Sequence, residues 1–112
     1  MAAYISFQPS DFFNTVLYTG TGATHSVTGV GFQPDFTWIK QIDGTYYNVV
    51  VDAVRGATKY WYTNATNVEA TDSAFVSSLD ADGFTVGTNS NTNNNTSTFT
   101  SWNWKMGTTS GI

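Results

Sequence analysis

At 112 residues the chain has room for one domain and one core, and its 8 Phe, 6 Tyr and 4 Trp supply enough bulky surface to set general disorder aside. A net charge of −4, with Lys40, Arg55, Lys59 and Lys105 scattered along the chain, leaves no basic patch to neutralise phosphates and argues against nucleic acid as a partner. No cysteine and a single histidine remove disulfides, thiolate nucleophiles, cysteine-ligated zinc and multi-histidine metal sites.

Only 11% of residues are charged, while 19 Thr, 10 Ser, 10 Asn and 10 Gly dominate, a composition of strands and turns rather than helices. The start of the chain has neither the positive region nor the long apolar stretch of a signal peptide, and no later segment reaches membrane-spanning length; a soluble protein is expected. Residues 1–14 read as an arm holding Tyr4, Ile5, Phe7, Phe12 and Phe13, with Ser10 or Asp11 able to cap one short turn. Thr15–Thr19 and Thr24–Thr28 alternate as strands, and Gly20-Thr21-Gly22 between them predicts a hairpin. In Asp35–Ile42, alternation puts Phe36, Trp38 and Ile42 on one face and Thr37, Ile39 and Gln41 on the other, one of which must be core.

Asp43-Gly44 predicts a tight type I′ hairpin into Thr45–Val51, whose Val49-Val50-Val51 run suggests burial on both faces. Asp52–Lys59 turns into the aromatic strand Tyr60-Trp61-Tyr62-Thr63. Residues 64–74 read as a polar loop, and Phe75, Val76 and Leu79 return to the core. Asp80–Gly83 turns into Phe84–Gly87, and Asn89–Asn95 is a low-complexity loop before a last strand that carries Trp102 and Trp104 on one face. About eight short strands with frequent turns predict an all-β, antiparallel, jelly-roll-like β-sandwich over 15–105, with a tail at 106–112.

Four ordered blocks carry a resemblance. Tyr18–Gly22, Val27–Lys40, Asp52–Lys59, and Asp82–Gly87 followed by Trp102–Lys105 resemble a lectin-like β-sandwich repeat of virion structural proteins from tailed bacteriophages, often of marine hosts. The resemblance implies a fibre or capsid-decorating module on the virion surface, made in the host cytoplasm, touching other virion proteins within a homo-oligomer, a trimer favoured. It leaves open whether the chain is complete or the first part of a longer fibre. Host surface glycans are the alternative partner.

Candidate sites follow from residue chemistry. His25 in an alternating strand and the acids Glu69, Asp72, Asp80 and Asp82 in polar turns read as solvated groups rather than a triad or a glycosidase pair, so no catalytic residue, enzyme activity or cofactor is expected. Asp80 and Asp82 before Gly83 make half of a calcium-loop signature, with turn formation the simpler role. Arg55 can fork to Asp52 or Asp35 and, with Gly56, clamp a turn. Neighbouring rings in Tyr46-Tyr47 and Tyr60-Trp61-Tyr62 point to opposite faces, so one core layer cannot hold all five; some must reach a second surface, and the group is the expected contact for a glycan or another subunit, with burial beneath a loop the alternative for any single ring. Tyr4, Ile5, Phe7, Phe12 and Phe13 are the expected virion-docking group.

Overall fold

Strand formation follows the β-branched and aromatic runs, and Gly, Asp and Asn punctuate them. A computed structural model describes residues 8–106. Among the described residues nine strands form: β1 (Phe13–Thr19), β2 (His25–Thr28), β3 (Phe36–Gln41), β4 (Val49–Asp52), β5 (Gly56–Tyr62), β6 (Ala70–Thr71), β7 (Val76–Asp80), β8 (Gly83–Val86) and β9 (Thr98–Trp104). They build two antiparallel sheets, a six-stranded one in the order β1-β9-β3-β4-β5-β6 and a three-stranded one in the order β2-β8-β7. The all-β sandwich is as expected, and the two-residue β6 inside the expected 64–74 loop adds a strand.

Between the sheets, Tyr18 stacks on Phe99 with ring centroids 5.2 Å apart and meets Phe84 edge-on at 5.9 Å. The Tyr18 hydroxyl donates to the Thr92 carbonyl at 2.7 Å, and burial pushes its phenol well above the usual range. Val49, Val50 and Val51 are all fully buried, because Val49 and Val51 face the core while Val50 lies under the rings of the opposite face.

Three local expectations give way to tertiary contacts. The hairpin across Gly20–Gly22 does not form: β1 pairs with β9 and β2 with β8, in different sheets. The linking segment is pinned elsewhere, the Gly20 amide donating to Ser97 and the Gly22 amide to Asn93. A Cβ on Gly20 would lie 2.0 Å from the Asn94 carbonyl oxygen, so only glycine fits there. Asp43-Gly44 does not close a two-residue turn; the β3–β4 connection runs through 42–48 and wraps the Gln41 side chain, which would sit 2.5 Å from a Cβ on Gly44. Asn89–Asn95 is no solvated loop, for it contains a helical turn α1 (Ser90–Asn93), capped by the Asn89 side chain on the Asn91 amide, with Thr92 and Asn93 fully buried.

At the amino-terminal side a 3-10 turn, Pro9–Asp11, has the Asp11 carboxylate accepting from the Gln8 amide at 2.8 Å. Phe13 and Asn14, placed in an arm by the sequence reading, are the first residues of β1, in register with Trp104 and Asn103. Tyr4, Ile5 and Phe7 lie outside the described residues, as does most of the expected tail.

Candidate binding face

Side chains in register across a sheet share a face. The core face of the six-stranded sheet carries Thr37, Ile39 and Gln41 on β3 and Phe99, Ser101 and Asn103 on β9, all buried. Its polar members are satisfied internally: the Thr37 hydroxyl donates to Asn103 Oδ1 at 3.0 Å, and Asn103 Nδ2 donates to the Asn14 carbonyl at 3.2 Å and to Ser101 Oγ at 3.0 Å. Gln41 Nε2 donates to Ser97 Oγ at 2.9 Å. Alternation then sends every ring of β3 and β9 except Phe99 to the opposite, outer face.

Two cross-strand rows result. One runs Thr15, Trp102, Trp38, Val50, Trp61 across β1, β9, β3, β4 and β5; the next runs Phe13, Trp104, Phe36, Asp52. Trp38 meets Trp102 edge-on at 5.7 Å, while Trp104 sits between Phe13 at 5.0 Å and Phe36 at 5.1 Å. Such ring pairs add about 0.5–1.5 kcal/mol each beyond area burial, which holds the rings in place without a covering layer. Between them opens a cleft of about 290 Å³ lined by Trp38, Lys40, Trp102 and Trp104. The indole N–H groups of Trp38 and Trp61 are buried and have no acceptor.

Charges of both signs lie on this face. Lys40 follows Trp38 along β3 and, among the described residues, forms no ion pair. Lys59 precedes Trp61 on the same side of β5 and donates to the Thr71 hydroxyl at 3.1 Å. The Arg55 guanidinium lies 5.9 Å from the Trp61 ring centroid, joined to Asp52 through Nε at 2.7 Å and through a shorter Nη2 contact, and to Glu69 at 3.1 Å. The Arg55 amide also donates to Asp52 Oδ1 at 2.8 Å, and Gly56, at φ 105°, ends the turn.

Burial acts to raise the Asp52 carboxyl, but the bonds from Arg55 outweigh it and hold the group below its ordinary value. A lowered folded-state pKa stabilises the fold above the unfolded value of about 4, and that contribution is lost as pH falls through the folded value. Since the Arg55 side chain is 37% exposed, screening keeps the contribution small, on the order of a few tenths of a kcal/mol. Thermal melts between pH 6 and pH 2 (roughly the span of carboxylate titration) should show a slightly shallower loss for Asp52→Asn than for the parent; parallel curves would mean that Asp52 takes no part.

The five rings singled out from sequence do not share a surface. Trp61 belongs to the outer face. Tyr60 stacks on Phe75 at 3.8 Å and Tyr62 packs near it, both against the core, while burial and then the neighbouring Tyr60 raise the Tyr62 phenol. Tyr46 and Tyr47 sit exposed in the β3–β4 loop, Tyr47 stacking on Tyr62 at 4.5 Å. Phe13 joins the outer face beside Trp104, and Phe12, partly exposed, accepts from the Lys105 amide through its carbonyl.

Remaining polar candidates are engaged in the fold. Asp82 accepts from the Gly29 amide at 3.1 Å and the Gly31 amide at 2.7 Å, and Asp80 accepts from the hydroxyls of Ser78 and Thr85. Asp72 accepts from the Ala74 amide at 2.8 Å, and His25 lies 6.1 Å from the Tyr18 ring. Among the described residues no group of three or more His, Cys, Asp or Glu side chains comes together, and no helix is long and apolar enough to cross a membrane. Sequence reasoning missed Trp38, Trp102, Trp104 and Lys40 as site residues. The signal was present in the alternation of Phe36–Lys40 and Trp102–Trp104.

Compared with known families, residues 8–111 match one described as a domain of unknown function (DUF7483). No curated protein and no solved structure matches the chain.

Proposed function

The chain belongs to the DUF7483 family, and we propose that it is a non-catalytic attachment module of a tailed-phage virion surface, a fibre or capsid-decorating unit. The observation that carries this reading is the outward-facing aromatic face: Trp38, Trp102 and Trp104, each half-buried, stand on the outer side of the larger sheet, while polar groups fill part of its inside. Large apolar surface left outside a small domain serves contact with a partner. The resemblance of four sequence blocks to virion repeats supports the location. The seven-residue strand β1 lies at a sheet edge and can add pairing between copies, in keeping with a trimer.

A second reading, recognition of host surface glycans, is favoured by one feature: indoles beside a lysine in an open cleft suit sugar rings, whose C–H faces stack on aromatics and whose oxygens accept hydrogen bonds. The readings coexist on a particle that binds its host. Antibody raised against the chain is expected to label the outside of intact, gradient-banded particles from a culture expressing the gene. Recovery of the chain only in the cell fraction would overturn the virion assignment.

A further inference from the structure

We infer that the cleft between Trp38, Trp102 and Trp104 binds a saccharide bearing a carboxylate, with the indoles stacking on the sugar and the Lys40 ammonium meeting the acid. The inference rests on the glycan reading above and adds the chemical class of sugar.

Two observations converge. The cleft, about 290 Å³, is at the small end of ligand clefts and is built on paired strands, with Trp38 against Trp102 and Trp104 wedged between Phe13 and Phe36, so its walls are set before a ligand arrives. Lys40 supplies a cation with no carboxylate partner among the described residues, in a chain whose net charge is −4. A lysine held against apolar walls and lacking an acid of its own complements an anionic ligand.

Calorimetric titration of the full chain with two carboxylated probes, a short oligogalacturonate and sialyllactose, each beside its methyl ester, tests the inference. The ester keeps the ring and removes the charge. At least one acid should bind roughly tenfold more tightly than its ester, with the preference shrinking as salt is added. Lys40→Gln should abolish the preference, weakening the acid more than the ester. Trp102→Ala should weaken acid and ester alike by roughly tenfold or more; if that variant does not fold, the Lys40→Gln comparison decides alone. Equal binding of acid and ester overturns the acidic class and leaves glycan recognition standing. Binding of none of the four probes overturns the inference, and if sedimentation then shows a Trp102-dependent oligomer, the glycan reading fails with it.

Discussion

Asn93→Asp should lower stability by about 3 kcal/mol and the melting temperature by roughly 12–24 °C, although it changes one NH2 group to an oxygen. The Asn93 side chain is fully buried and makes four bonds. Its Oδ1 accepts from the Thr21 amide at 2.8 Å, and its Nδ2 donates to the carbonyls of Ala23 at 2.6 Å and Gly87 at 2.8 Å, with a longer contact to the Thr21 hydroxyl at 3.3 Å. These bonds tie α1 to the β1–β2 crossing and to the end of β8. A carboxylate would turn an acceptor toward two carbonyl oxygens, leaving the buried Gly87 carbonyl and the carboxylate oxygen facing it without a donor, while Ala23 keeps the Thr21 hydroxyl. The deficit should shrink below the carboxylate range, where a protonated acid regains one donor. Thermal melts followed by circular dichroism check this; a shift under about 4 °C, less than 1 kcal/mol, would show that the amide does not hold this end of the sandwich together.

Phe84→Ala should cost about 3–5 kcal/mol in urea denaturation. Phe84 is fully buried on β8, the middle strand of the smaller sheet, in register with Val27 on one side and Leu79 on the other, and its ring meets Tyr18 edge-on. Truncation removes the ring that bridges the two sheets, and backbone pairing on both sides keeps the space from closing. Leu17→Ala is the matched control. Leu17 lies on the outward side of β1 and is 68% exposed, so its loss should stay within about 0.5 kcal/mol. Similar midpoints for the two variants would mean that the core lies elsewhere.

Local chemistry was legible along the chain. The Asp52–Arg55–Gly56 turn could be read because its partners are three and four residues apart, within reach of an aspartate side chain and a glycine backbone whatever the rest of the fold does. Burial of Val49–Val51 on both faces was readable from their unbroken run. Asp43-Gly44, a stronger turn signal by composition, failed because Gln41 folds beneath the connection to reach Ser97, a residue 56 positions away. The Asn-rich segment looked like solvated loop for the same reason: Asn93 and Thr92 find their partners in Thr21, Ala23 and Phe75, which no short window contains.

By itself the sequence determined that Phe36 and Trp38 share one side of β3, and Trp102 and Trp104 one side of β9, since side chains alternate along any strand. Only the tertiary structure decided that this side faces outward. The choice turned on polar residues: Thr37, Gln41, Ser101 and Asn103 can be buried because they bond to one another or to Asn14 and Ser97. An isolated strand exposes those groups to water and gives no sign that they will be paired. Once they are satisfied inside, the tryptophans remain outside as the surface on which a partner can act.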